Sequence, residues 1–409
     1  MALTYSIESA LWHASKSLEF HFNRKRWGCS LYLHNQMLGK GWCPNDLRRL
    51  HEHGSISLMY YASTLERKSP PGISHRLCND GGCQANYVRP ETYETKHRED
   101  CSGCNHIKPL INHAEEILRG SGHDGFPVLE VTPYGDSFNL EYVEFAGNLS
   151  FCAISHVWSD GLGNNETNSL PTCQVRRLYT VAQEILRRGQ GGSGKSCLIW
   201  IDTLCVPRRQ PFRKFAISRI ATSFAKAKAV LVLDSELQQI SSKTAISEVL
   251  TRISCCGWMR RVWTLREGSL AAPALNVQLA DRAIALDSVV KQQRKDWQKR
   301  KLVTDSLASD TGIAYENLTV TRLAYRKLST SSMKSHAFGF ALHSFAGRST
   351  SWQGDEYLCL GILLGLKPKS IEELYETPVD KRSEYLFSVL HKVPHGILFC
   401  PGAKLSTPD

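Results

Sequence analysis

Between Phe151 and Asp234 the chain alternates short unbroken apolar runs with longer amphipathic ones. FCAISHVW, CLIWIDTLCV and AVLVLD have the length and composition of strands buried on both faces, whereas LYTVAQEILRR and FRKFAISRIATSFAKA read as helices. In the second of these helices Phe212, Phe215, Ile220, Phe224 and Ala227 recur at helical spacing, which predicts one buried face. The resulting β-α-β-α-β rhythm predicts a parallel sheet covered by helices.

The pattern changes near residues 110 and 285, dividing the chain into regions 1–148, 149–284 and 285–409. The first mixes helical patterns with a stretch, Ser69 to His106, rich in Gly, Pro, Asn and Asp and poor in large apolar residues. Something other than a hydrophobic core must order it. The last region opens with a basic run, KQQRKDWQKRK from Lys291 to Lys301, and continues through helix-compatible sequence including DEYLCLGILLGL.

Composition narrows the class. The 409 residues are 42% hydrophobic and 22% charged, which suits two or three globular domains. The N-terminus lacks the pattern of a signal peptide and no apolar run is long enough to span a bilayer, so a cytoplasmic protein without membrane contact is expected. In that compartment the 14 cysteines stay as thiols or bind metal. The net charge of +11 favours anionic partners. A basic run such as Lys291 to Lys301 is more often a solvated helix face, so nucleic acid is not the expected partner.

Five residues in the turn-rich stretch have metal-ligand character: Cys78, Cys83, His97, Cys101 and Cys104. The Cys101–Cys104 pair has the CxxC spacing that suits tetrahedral zinc, and four of the five would close a structural site within 75–106. The competing reading is a set of reduced thiols beside a surface histidine. A second motif, GQGGSGKS from Gly189 to Ser196, matches the phosphate-binding GxxxxGK[ST] pattern. Its context is inverted, with a helix before it and a strand after it, which favours a glycine-rich connection.

Candidate chemistry gathers where the strands end. Ser155, His156, Trp158 and Asp160 follow the first strand, Asp202 the second, and Asp234 and Glu236 the third. Ligands of open α/β sheets bind outside these carboxyl ends, although polar residues there also cap helices. The densest cluster is CCGWMRRVWTLREG, Cys255 to Gly268. In a helix Trp263 and Glu267 share a face, and with Arg260 and Arg261 they would bring an aromatic wall, cations and a carboxylate together.

FCAISHVWSDGLGN, CLIWIDTLCVP and WMRRVWTLREG resemble, in that order, the three motifs of the fungal heterokaryon incompatibility (HET) family. GWCPNDL, the segment from Thr92 through His97 to Cys104, and STSWQGDEYLCLGILLGL are more weakly similar to accompanying regions of such proteins. The resemblance implies a cell-death effector of self/non-self recognition. It also implies a TIR-like (flavodoxin-like) parallel sheet flanked by helices, with an N-terminal zinc-binding α+β region and a helical C-terminal region. WTLRE is similar to the WCxxE segment of plant TIR domains, which places Glu267 at the catalytic position of TIR-type NAD hydrolases. On that basis NAD is the implied substrate and Ser155, His156, Trp158, Asp160, Asp202, Arg260, Arg261 and Trp263 are candidate binding residues. Thr264 and Gly268 depart from the plant pattern, which has Cys and Leu there, so a non-catalytic signalling and self-assembly module is the alternative. Self-association and an unidentified incompatibility partner are implied by either reading.

Overall fold

The computed structural model describes residues 30–300 and 344–390, apart from 54–55, 68–73, 81, 121, 123–124, 189–194, 272–273, 346–347 and 353. Three helices open it, α1 (Leu31–Gly39), α2 (Pro44–His53) and α3 (Ile56–Thr64). They close a small core of their own from Leu33, Met37, Trp42, Leu47, Leu58 and Met59, to which Cys255 is added from far along the chain. A stretch with one 3-10 turn at Pro90–Thr92 leads to strand β1 (His106–Ile107) and helix α4 (Ile111–Gly120). A hairpin follows, β2 (Pro127–Tyr134) and β3 (Ser137–Glu144), turning at Gly135 with φ 56°.

The central alternation comes next: β4 (Cys152–His156), β5 (Leu170–Pro171), α5 (Thr172–Arg187), β6 (Cys197–Trp200), α6 (Asp202–Cys205), α7 (Phe212–Lys226) and β7 (Ala229–Leu233). After α8 (Ile246–Cys255), α9 (Gly257–Arg260) and α10 (Val262–Ala271), strands β8 (Leu275–Gln278) and β9 (Ala283–Ala285) complete the sheet. Helix α11 (Leu286–Arg300) carries part of the basic run, and α12 (Asp355–Leu363), α13 (Pro368–Glu376) and α14 (Arg382–Leu390) follow. None of the described helices is long and apolar enough to cross a membrane.

The main sheet has seven strands in the order β3-β2-β6-β4-β7-β8-β9. Its four central strands run parallel: β4, β6 and β7 are the three predicted apolar runs and β8 is a fourth strand, and every residue of β4 and β7 is buried. The sheet is mixed rather than wholly parallel. The β2–β3 hairpin adds antiparallel to β6, and β9 returns antiparallel to β8 after a tight turn closed by Leu279 N donating to Arg282 O at 2.9 Å. The chain steps from β4 to β6 in one direction and from β6 back across to β7 in the other. Right-handed crossovers therefore put α5 on one face and α7 on the opposite one, where α10 packs against it.

Helix α7 is buried more widely than one stripe: Phe212, Ala216, Ile217, Arg219, Ile220, Ser223 and Phe224 are all enclosed. The sequence pattern marks the face toward the sheet, but α4 and α13 also pack on this helix. Ser218 donates to Glu372 on α13 at 3.0 Å, and Arg219 donates to Gly125 O at 2.7 Å and Leu118 O at 3.0 Å. Around the GxxxxGKS match, α5 ends at Arg187 and β6 begins at Cys197, so a helix precedes and a strand follows; residues 189–194 lie outside the described residues.

The N-terminal helices are joined to the sheet domain by a buried ionic cluster. Asp46 on α2 accepts from Arg260 Nε at 2.8 Å and Nη2 at 3.1 Å, and from Arg67 Nη1 at 3.2 Å. Glu236 completes the set, 2.7 Å from Arg67 and 3.4 Å from Arg260. Two guanidiniums and two carboxylates out of water are stable only together, because each loses its hydration and depends on the others for compensation. Asp46→Ala therefore leaves two buried cations short of a partner and is expected to lower unfolding free energy by about 3–5 kcal/mol, measured by urea denaturation.

Candidate functional site

The site is built on the carboxyl ends of β4 and β6. Strand β4 delivers Ser155 and His156, and a 3-10 turn at Trp158–Asp160 carries the chain away from the sheet. Strand β6 ends at Trp200, and Asp202 opens α6. Asp202 Oδ1 accepts from His156 Nε2 at 2.8 Å and Thr203 N at 2.7 Å, while Oδ2 accepts from Trp158 Nε1 at 2.7 Å. Burial pulls the His156 imidazole down, but the Asp202 carboxylate beside it more than offsets this and holds it above its ordinary value. Burial likewise pushes Asp202 up, yet His156 and the Trp158 and Thr203 donors hold it below the usual carboxylate value. The two shifts are reciprocal, each group favouring the charged form of the other.

Two glycines of the GLG sequence after Asp160 make this corner possible. Gly161 has φ 95°, and a Cβ there would lie 2.5 Å from the Lys96 side chain. A Cβ on Gly163 would lie 2.4 Å from the Trp158 ring. Tyr93 closes the back of the corner, donating to Trp158 O at 2.8 Å and accepting from Gly163 N at 2.7 Å, with its ring 5.9 Å from that of Trp158.

Helix α10 brings Glu267 to the same place. Ser155 donates to Glu267, and Trp258 Nε1 donates to Ser155 Oγ at 2.6 Å, so a buried tryptophan fixes the hydroxyl that fixes the carboxyl. Burial pushes Glu267 up to about 7, with the Asp202 charge adding to the effect and Ser155, His156 and Arg261 opposing it. A glutamate poised there can change protonation state near neutral pH.

His156, Trp158, Asp202, Arg261, Trp263 and Glu267 line one cavity of about 430 Å³. Trp200 and Phe224 extend its aromatic wall, Asn164 at the end of the first motif lines it too, and Asn168, Arg208 and Arg213 supply polar groups from outside the motifs. Trp263 is fixed by its indole N–H donating to Asp355 at 2.9 Å. Arg261 donates to Asn86 O at 2.9 Å and Ser351 Oγ at 2.7 Å.

Four other candidates take different positions. Ser155 is buried behind Glu267 and acts on the cavity through it. Asp160 turns toward the end of β7, accepting from Ser235 N and Oγ, each at 2.8 Å. Arg260 is turned into the Asp46–Glu236 cluster, while its neighbour Arg261 alone of the two lines the cavity. Asp234 caps the turn after β7, accepting from Glu236 N and Leu237 N, and receives Trp258 N at 2.8 Å.

The five metal-ligand candidates do not form one site. They divide between two clusters that could each hold a metal ion: Cys43, His75, Cys78 and Cys83 in one, and His97, Cys101, Cys104 and Cys173 in the other. The single-site expectation considers only ligands close in sequence, whereas folding brings in Cys43 from the start of α2 and Cys173 from the first turn of α5. His75 was legible, since His75 and Cys78 have the same spacing as a CxxC pair.

The whole is an α/β domain with a tryptophan-walled polar cavity at the carboxyl ends of its parallel strands. Residues 151–255 match the family described as Heterokaryon incompatibility protein (HET). The matched span ends before Glu267 and covers the first two of the three motifs. No curated protein and no solved structure matches the chain.

Because the folded state holds the Glu267 proton more tightly than the unfolded chain, whose glutamates titrate near 4.5, stability falls as pH rises from there toward about 7. Glu267→Gln has no such proton to lose. Urea unfolding at pH 5 and pH 8 should show the wild type losing more stability than the variant across that window.

Proposed function

We propose that this protein is a heterokaryon incompatibility effector of the programmed-death class whose cavity hydrolyses the nicotinamide–ribose bond of NAD. The observation that carries the reading is the placement of Glu267 in a cavity walled by Trp158 and Trp263, beside the hydrogen-bonded His156–Asp202 pair. The order of the four parallel strands, second-first-third-fourth along the chain, supports a TIR-like, flavodoxin-like core, to which the edge strands are additions.

In this reaction the C1′–N bond of the nicotinamide riboside breaks, the electron pair leaves with nicotinamide, and water adds to C1′ to give ADP-ribose and a proton. Positive charge develops on the ribose as the bond breaks, and a carboxylate against the sugar stabilises it. Glu267 has that role and Ser155 positions it. Trp158 and Trp263 wall the flat nicotinamide ring. Arg261, Arg208 and Arg213 line the cavity as cations for the diphosphate. Arg260, committed to Asp46, has no part in it. A cavity of this size takes a ring and a sugar, with the remainder of the dinucleotide along the basic side.

The two Cys/His clusters are read as structural zinc sites. Three thiolates and an imidazole form a closed tetrahedral set without an open position for substrate, so the ion supplies folding free energy and takes no part in the hydrolysis. Activity is proposed to depend on self-association.

The test is nicotinamide release from NAD by the purified full chain across a range of protein concentrations. Wild type is expected to release nicotinamide faster as pH rises through about 7, where Glu267 ionises, and more per chain at higher concentration. Glu267→Gln should lower the rate by at least ~100-fold with the fold intact. Equal rates in the two proteins would remove Glu267 from the chemistry. Cell death that persists with NAD unchanged would favour a non-catalytic signalling and assembly module.

A further inference from the structure

Residues 84–96 run from one Cys/His cluster to the other with a single 3-10 turn, Pro90–Thr92, as their regular structure. This strap nevertheless forms part of the cavity. Val88 lines it, and Asn86 O holds the Arg261 guanidinium. Tyr93 backs Trp158, Thr95 Oγ1 donates to Gly163 O at 2.7 Å, and Lys96 N donates to Gly161 O at 2.9 Å. A segment with so few large apolar residues cannot offset the entropy of being fixed by its own packing. Hydrogen bonds such as Val88 N to Ser351 Oγ at 3.1 Å hold it at points along its length, and each of its ends runs into a Cys/His cluster.

The ends have the dimensions of tetrahedral metal sites. Zinc bonded to sulfur at about 2.3 Å and to imidazole nitrogen at about 2.0 Å sets ligand edges of about 3.8 Å between sulfurs and about 3.6 Å between sulfur and nitrogen. In the first cluster Cys78 Sγ lies 3.7 Å from Cys83 Sγ, and His75 Nδ1 lies 3.6 Å from Cys78 Sγ and 3.7 Å from Cys83 Sγ. In the second, His97 Nδ1 lies 3.7, 3.4 and 3.7 Å from the sulfurs of Cys101, Cys104 and Cys173. A disulfide would require sulfurs about 2.05 Å apart, which none of these is. The second cluster also spans the fold: Cys173 belongs to α5 of the sheet domain, and its neighbour Gln174 donates to Lys96 O at 3.0 Å.

We propose that the chain binds two zinc ions, one in each cluster, and that the pair tethers the 84–96 strap so that this wall of the cavity forms only in the metal-bound protein. The inference rests on the structural-zinc reading above and is independent of what the cavity hydrolyses. Metal occupancy and ligand binding are then linked through Tyr93 and Asn86, without any metal atom reaching the substrate.

The experiment is elemental analysis of the full chain combined with amide hydrogen exchange. Wild type should carry two zinc ions per chain and Cys173→Ser one. In the variant, exchange at Val88 and Lys96 should quicken at least about tenfold while the amides of β4 and β7 stay protected. His97→Cys, which keeps four donors in the second cluster, should retain both ions and the slow exchange. Should Cys173→Ser lose the sheet as well, chelator titration of the wild type decides: strap exchange rising in step with zinc release supports the tether. A chain without zinc overturns the metal reading and the inference together. Zinc bound but a strap indifferent to its removal overturns the tether alone.

Discussion

The carboxylate of Asp202 is the contact on which the site depends. It receives the imidazole of His156, the indole of Trp158 and the backbone N–H of Thr203, and so joins the loop after β4 to the helix after β6. These strands are neighbours in the sheet, but their connections leave toward different faces, and nothing in strand pairing alone fixes how their carboxyl ends meet. One ion with three donors settles it. With Trp158 held, its ring defines a wall, the close approach at Gly161 and Gly163 becomes necessary, and the cavity has a fixed edge against which Glu267 can be placed.

Around that contact the molecule uses burial to adjust its ionisable groups in opposite directions. In the His156–Asp202 pair each group offsets the desolvation of the other, so the imidazole is held above and the carboxylate below its ordinary value. Glu267 has only hydroxyl and more distant cationic help, and burial prevails. The difference arises from the partner each carboxyl meets rather than from depth, since all three groups sit in one corner of the fold.

The parallel core was legible in the sequence because β4 and β7 are buried on both faces and therefore apolar throughout. The hairpin β2–β3 and strands β8 and β9 were not singled out: the edge strand β3 alternates in burial and carries charges such as Glu141 and Glu144, and β8 and β9 are too short for a clear pattern. Strand-end logic found His156 and Asp202, and helical spacing put Trp263 and Glu267 on one face. It could not tell Arg260 from Arg261, because adjacent residues leave a short helix in different directions and the Asp46 that claims Arg260 lies more than 200 positions earlier. Cys43 and Cys173 escaped for the same reason. Each is brought to its cluster by the fold, and spacing rules see only ligands that are close along the chain.

The sheet order has a consequence for how this domain can be separated from its chain. A fragment cut at the limits of the family match, 151–255, would keep the three central strands β6, β4 and β7 but lose β2 beside β6 and β8 beside β7. Both flanks of the most apolar part of the protein would then present unpaired backbone donors and acceptors to solution, a template for strands of other copies. The unit inherited as a recognisable sequence is thus smaller than the unit that can stand alone in water.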